Sequence, residues 1–220
     1  MSHSFSPLYA ILSADLFPGA PEDWARRLAD AGVGIIQYRA KQAAAGELLR
    51  VARRLSSIAQ SHAFRLVMND RADIAALAGA GGVHVGQDDL PVEVARRICG
   101  PECWVGVSTH TLEQVRAAAA TSADYIAVGP VYATATKANP EPVVGIEFVR
   151  QARKLTEKPL VAIGGITAER AAEVYAAGAD SLAVAADLAA ARDLAARVRA
   201  YLRAAEQARA ARAAALGGPP

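Results

Sequence analysis

The stretch VGPVYATATKANP, Val128 to Pro140, places two hydroxyls and a lysine just past an apolar run. The run breaks at Gly129-Pro130, and the loop after it carries Thr134, Thr136 and Lys137 before closing on Asn139-Pro140. Alone this is an ordinary polar loop. Other segments give it company. In QYRAK, Gln37, Arg39 and Lys41 share one face if an extended strand persists that far, because side chains alternate with a period of two. Two cations on an inward face are costly to bury without an anionic partner. A salt-bridge network with Asp70, Asp88 and Asp89 is one resolution.

Those acids have a second use. Asp70 and Asp89 each follow an apolar run, on what should be neighbouring loops. Paired carboxylates from adjacent strand ends suit Mg2+, which takes one or two protein carboxylates and leaves its other positions to water and phosphate. With Arg39, Lys41, Asn69 and Lys137 around it, such a metal would hold a polyphosphate. The alternative for DDLP is acidic decoration at a helix start, where the dipole favours it. A second anion site is suggested by Gly164-Gly165-Ile166 and by VAADL (184–188), where backbone N–H groups and a helix start could bind phosphate. The glycines could equally make only a tight turn. His84 reads as a satisfied core histidine, and His110 as a loop candidate.

The elements that must position these residues follow from the apolar pattern. Short runs at Leu8–Ser13, Ile35–Arg39, Leu66–Asn69, Val83–Val85, Trp104–Val107, Tyr125–Val128, Leu160–Ile163 and Leu182–Val184 are predicted strands. Helical spacing lies between them. From Glu47 to His62, Leu48, Ala52, Leu55 and Ala59 recur on one face, and Thr167 to Ala177 is predicted as a helix capped by Thr167. DAGVG, LAGAGG and YAAGAD close helices with glycine, as repeated βα units do. Eight units predict a single (β/α)8 TIM barrel, whose chemistry gathers where the strands' C-terminal ends meet the βα loops. An open doubly wound sheet is disfavoured, since no G-x-G-x-x-G follows the first strand.

Bulk composition sets limits. The 220 residues are 53% hydrophobic and 21% charged, which fits one globular domain with a proper core. A net charge of +2 gives no argument for nucleic acid. Cys99 and Cys103, without a second cluster at metal spacing, read as reduced thiols. No basic-then-apolar leader opens the chain, and no apolar run nears the roughly 20 residues of a membrane span. The expectation is a soluble, cytoplasmic protein whose partners are small-molecule substrates, with no nucleic acid and no membrane. A homo-oligomer is compatible with the chain but not readable from it. The Ala/Arg-rich segment 206–220 is expected to be a mobile tail beyond a catalytic barrel of residues 1–205.

Two phosphorylated ligands, one a diphosphate on Mg2+, fit displacement of diphosphate by a second phosphorylated nucleophile. QYRAK (37–41), MNDRADIA (68–75), GVHVGQDDLP (82–91), GVSTHT (106–111), GPVYATATK (129–137) and AIGGI (162–166) stand in an order and spacing that resembles the thiamine-phosphate synthase family. The resemblance covers residues 8 to 190. It implies a (β/α)8 enzyme joining a pyrimidine methyl diphosphate to a thiazole phosphate, with release of diphosphate. It also implies a pyrimidine-diphosphate site at Gln37, Arg39, Lys41, Asn69, Ser108 and Lys137. Of these, Arg39, Lys41, Ser108 and Lys137 would act in catalysis. Mg2+ would sit on Asp70 and Asp89, and the thiazole phosphate on Thr134, Thr136, Gly165, Ala185 and Ala186.

One departure stands out. The family usually reads V-S-A-I at the end of the eighth strand, and this chain reads Ala185-Ala186-Asp187-Leu188. A hydroxyl is lost, and Asp187 either sets a carboxylate near the phosphate or caps the next helix and points away. The alternatives are a thiazole tautomerase-like paralogue, a Schiff-base aldolase using Lys137 and a non-catalytic binding module. QYRAK and the Asp70/Asp89 pair argue against the first, and the polar setting of Lys137 against the second.

Overall fold

The computed structural model describes residues 5–134 and 141–215. Its first half runs β1 (Leu8–Ser13), α1 (Pro21–Asp30), β2 (Ile35–Arg39), α2 (Ala45–His62), β3 (Arg65–Asn69), α3 (Ala72–Ala78), β4 (Gly82–Val85) and α4 (Val92–Cys99). The second half runs β5 (Trp104–Thr109), α5 (Leu112–Ala119), β6 (Tyr125–Val128), α6 (Gly145–Arg153), β7 (Leu160–Ile163), α7 (Ala171–Ala176), β8 (Ser181–Val184), α8 (Ala186–Ala189) and α9 (Leu194–Ala215). Each strand pairs in parallel with the next, and β8 returns to β1 to close the barrel. This is the expected (β/α)8 TIM barrel.

The strands read as unbroken apolar runs because both of their faces are covered. LYAILS of β1 is buried at all six positions. The helices bury one stripe only, as α2 does with Leu48, Val51, Ala52, Leu55 and Ile58. Two apolar layers result. One fills the space between strands and helices; the other, built on Tyr9, Ile11, Ile35, Val67, Tyr125, Ala127, Val161 and Ala183, fills the barrel. The strand starts are closed by Phe5, whose ring stacks on Trp104 at 5.2 Å, with the Arg65 guanidinium 3.8 Å from the Trp104 ring centre. The strand ends stay open.

Register fixes what reaches that open end. Ile11 lies beside Gln37 and Ser13 beside Arg39. Asn69 lies beside His84, and Ser108 beside Ala127.

Two expectations need correction. β2 stops at Arg39, so Lys41 lies in the following turn and not on the strand face shared by Gln37 and Arg39. Thr167 does not cap a helix, because residues 168–170 form a turn and α7 opens only at Ala171, after Arg170. The Ala/Arg-rich segment expected to extend the last helix does so. α9 crosses residues 205–206 without a break, Ala204 and Ala205 are buried, and Arg212 donates to the carbonyls of Tyr175 and Ala179. Cys99 and Cys103 are free thiols. No helix among the described residues is long and apolar enough to cross a membrane.

Candidate functional site

A cavity of about 610 Å³ opens at the C-terminal ends of the strands. Gln37, Arg39, Asn69, His84 and Ser108 line one side of it. Gly164, Gly165, Ala185 and Ala186 line the other, with Thr134 between them.

On the β2–β4 edge the chemistry is carried by charge. Arg39 sits 3.4 Å from the Ser13 hydroxyl and 3.7 Å from the Asp15 carboxylate. Lys41 places its ammonium 3.4 Å from Asp70 Oδ2. Of the salt-bridge network foreseen between QYRAK and the acids, this is the pair seen among the described residues. Asp70 adopts a left-handed backbone at φ 62°, which Asp tolerates better than most residues, and its N–H donates to the His84 carbonyl at 2.8 Å. The turn swings its carboxyl toward β4, within hydrogen-bonding reach of Asp89. Asp89 itself accepts from the Gly86 N–H at 2.7 Å.

Two carboxyls this close repel when both are ionised. Burial first, and then Asp89, push the Asp70 carboxyl above its ordinary value, while Lys41 opposes the shift. A divalent cation relieves that strain, and the donors are hard oxygens. Among the described residues no third acid, histidine or cysteine joins the pair. A cation held here would complete its shell with water or phosphate oxygens, which is the habit of Mg2+.

Beneath the cavity a hydrogen-bonded relay crosses the barrel. Gln37 Nε2 donates to the Tyr9 hydroxyl at 2.7 Å, which lies 2.9 Å from the Tyr125 hydroxyl. Tyr125 is 3.0 Å from His84 Nδ1, and His84 Nε2 is 2.8 Å from Ser108 Oγ. His84 is therefore the satisfied core histidine expected of it, and the imidazole also stacks on the Tyr125 ring. Room for that ring comes from Gly106, where an added Cβ would lie 2.0 Å from Tyr125 Cζ. His110 lies to one side, with Nδ1 2.6 Å from the Gly129 carbonyl.

The β7–β8 edge is built from backbone. Gly164 and Gly165 take φ of 101° and 60°, and a Cβ on Gly165 would sit 2.4 Å from the Ala133 carbonyl. The glycines thus make the turn and also let the loop after β6 lie against it, through the bond from Tyr132 N–H to the Gly164 carbonyl at 3.0 Å. Arg170 donates to the Gly165 carbonyl at 2.9 Å and lies 4.5 Å from the Tyr132 ring centre. After β8, Ala185 precedes the first turn of α8, where helical N–H groups have no partner within the helix. Asp187 lies in that turn and is not its cap. Its carboxylate accepts from the Tyr201 hydroxyl at 2.7 Å and lies 3.7 Å from Arg197.

The structure brings Gln37, Arg39, Asn69, Ser108, Thr134, Gly165, Ala185 and Ala186 to one cavity. Lys41, Asp70 and Asp89 do not line it; they form a charged cluster on the turns after β2, β3 and β4, with Lys41 and Asp70 close in sequence to Arg39 and Asn69, which do. Thr136 and Lys137 lie outside the described residues. Sequence reasoning missed Tyr9, Tyr125 and Arg170. The tyrosines sit in apolar runs, where a phenol looks like core, and Arg170 looked like one more polar residue at a helix start.

Residues 8–188 match the family model described as thiamine monophosphate synthase. The thiamine-phosphate synthase of Koribacter versatilis is 52% identical over 185 residues, 82% of this chain and 87% of that protein. That of Shouchella clausii is 40% identical over 204 residues, covering 91% of this chain and 97% of the relative. Among solved structures, a thiamine phosphate pyrophosphorylase from Pyrococcus furiosus superposes with a TM-score of 0.82 at 30% identity, covering 91% and 96% of the two chains.

Proposed function

The chain belongs to the thiamine monophosphate synthase family, and from that premise we propose that it joins 4-amino-2-methyl-5-(diphosphooxymethyl)pyrimidine to a thiazole phosphate, releasing diphosphate. The observation that carries the reading is that one barrel mouth holds both a charged cluster suited to a metal diphosphate and a glycine-built end suited to a second phosphate. Asp70 and Asp89 would hold Mg2+, which when bound supplies positive charge to the leaving diphosphate. Arg39 and Lys41, with Lys137 from the loop after β6, neutralise the charge that grows on that diphosphate as its C–O bond breaks. Asn69 lines the same side. Gln37 and Ser108 hold the pyrimidine, whose amino-substituted ring spreads the positive charge left on the methylene carbon. The step is therefore dissociative.

The thiazole nitrogen forms the new C–N bond. Gly165 and the backbone of Ala185 and Ala186 hold its phosphate, with the hydroxyls of Thr134 and Thr136, and proximity supplies much of the remaining acceleration. No base is needed, because the attacking nitrogen carries no proton. The departure at the end of β8 does not favour a thiazole-binding paralogue. Asp187 spends its carboxylate on Tyr201 and Arg197, so backbone donors remain the chemistry of that end.

The test is a coupling assay with both substrates, with Mg2+ or with chelator, scored for thiamine phosphate. Product that disappears on chelation and in Lys41→Ala is the expected result. Folded protein that binds one substrate and yields no product would sink the reading.

A further inference from the structure

The relay beneath the cavity joins two residues that the proposed reaction sets on the pyrimidine, through three that it does not use. Tyr9, Tyr125 and His84 lie between Gln37 and Ser108 and are at most 8% exposed. Buried hydroxyls and an imidazole are costly unless every one is bonded, and a barrel interior can be filled with aliphatic side chains instead. Gly106 also gives up its side chain to seat the Tyr125 ring. Such an arrangement calls for a role.

Its logic is directional. Burial pushes both phenols well above their ordinary range, so each keeps one hydrogen to give. A neutral imidazole also has one. With the imidazole neutral, and its hydrogen and those of the phenols spent within the relay, the hydrogens run along it in one of two ways. Running from Gln37, its Nε2 donates to Tyr9, Tyr9 to Tyr125, Tyr125 to His84 Nδ1, and His84 Nε2–H to Ser108. Gln37 Oε1 is then left as an acceptor, and the Ser108 hydrogen is left for a ligand. Running from Ser108, every role reverses: Gln37 offers N–H, and Ser108 has spent its hydrogen on His84. The two ends cannot be set independently.

We propose that the relay runs from Gln37 to Ser108, and that Tyr9, Tyr125 and His84 are positioning residues which fix the donor and acceptor pattern offered to a heteroaromatic ring. An aminopyrimidine presents an amino donor and a ring-nitrogen acceptor, matching an acceptor at Gln37 and a donor at Ser108. Its oxo counterpart presents a carbonyl acceptor and a ring N–H, the reverse on both counts. The relay thus sets an acceptor at Gln37 against the oxo ring's carbonyl, and leaves the Ser108 hydrogen an acceptor only in the amino form. The ligand assignment rests on the reaction proposed above; the direction of the relay rests on Gln37 presenting Nε2 to the Tyr9 hydroxyl.

The direction is tested first, on the full-length, ligand-free protein labelled with ¹⁵N, by long-range correlation of the His84 ring. A proton on Nε2 is expected, and a proton on Nδ1 would overturn the proposal. The consequence is tested with Tyr125→Phe, which removes one hydroxyl and keeps the ring. The preference for the 4-amino over the 4-oxo pyrimidine methyl diphosphate, as a ratio of kcat/KM, should fall about tenfold. The loss should appear in KM for the pyrimidine and leave KM for the thiazole phosphate unchanged. Tyr9→Phe breaks the relay one link nearer Gln37 and should do the same, so a fold defect in one variant leaves the other to decide. An unchanged preference in a folded, active variant would overturn the proposal. Wild-type protein that couples neither pyrimidine would instead sink the reaction, with the NMR result still deciding the direction of the relay.

Discussion

The two edges of the barrel mouth handle anions by different means. Over β2–β4 the work falls to charged side chains: Arg39, Lys41, Asp70 and Asp89. Over β7–β8 it falls to backbone, made accessible by residues with almost no side chain: Gly164, Gly165, Ala185 and Ala186. The first edge can lose atoms and keep its shape, since its groups are partly exposed and held by few neighbours. The second can lose nothing, and is damaged by gaining an atom. Truncation and addition should therefore separate the two edges, one in chemistry alone and the other in chemistry and stability together.

The largest effect is expected for Lys41→Ala. The ammonium is half-exposed and its bond to Asp70 is a partly exposed contact, so the melting curve should move little, within about 1 kcal/mol. Turnover should fall by about 10²–10³, the usual loss when one stabiliser of transition-state charge is removed. Asp70→Asn should fall as far and should also lose any rise in melting temperature that Mg2+ gives the wild type. A Lys41→Ala protein that unfolds easily would make the charged cluster structural and erase the contrast.

Gly165→Ala comes next. At φ 60° the new methyl strains the backbone, and its Cβ would meet the Ala133 carbonyl at 2.4 Å. About 1–3 kcal/mol of stability should be lost, with KM for the thiazole phosphate raised about tenfold or more while KM for the pyrimidine diphosphate holds. Denaturant melts beside steady-state kinetics check both halves. Equal damage to both KM values would mean that the mouth behaves as one unit.

What the chain alone revealed follows the same divide. Charged and amide side chains at strand ends announce themselves, so Gln37, Arg39, Asp70 and Asp89 were readable from their types and their places after apolar runs. Strand positions were readable too, because runs covered on both faces leave little doubt about where a barrel strand lies. Tyr9 and Tyr125 were hidden, since nothing local tells a phenol in a relay from a phenol in a core. Lys41 was set beside Gln37 and Arg39 only on the condition that the strand ran on past Arg39, because a period-two pattern does not say where a strand stops. Asp187 stayed ambiguous until Tyr201, fourteen positions later on another helix, was brought to it.

The C-terminal helix belongs to this hidden class and gives a smaller effect. Its Ala/Arg composition shows no apolar stripe, yet Arg209 and Arg212 donate to carbonyls at Phe5, Tyr175 and Ala179. Ending the chain after residue 205 should cost about 1–3 kcal/mol, two or three hydrogen bonds from a charged group less the entropy of ordering the segment. Hydrogen exchange should show amides 206–212 protected. Free exchange there would bear out the mobile tail that the sequence suggested.

The smallest effect on activity is expected for Asp187→Asn, and it bears directly on the contrast between the edges. A carboxylate beside a phosphate site would oppose binding, and removing its charge would then improve KM for the thiazole phosphate, about tenfold if that repulsion were near 1.4 kcal/mol. The structure argues otherwise. The carboxylate faces α9, accepts from Tyr201 and lies near Arg197, which also binds Glu169. Its charge is already answered before a phosphate arrives. An amide in its place keeps an oxygen for Tyr201 and loses only the attraction to Arg197, so KM should stay within about threefold and stability should fall by about 1 kcal/mol or less. A tenfold gain in thiazole-phosphate affinity would put the carboxylate in the anion site, and the β7–β8 edge would then also be governed by side-chain charge.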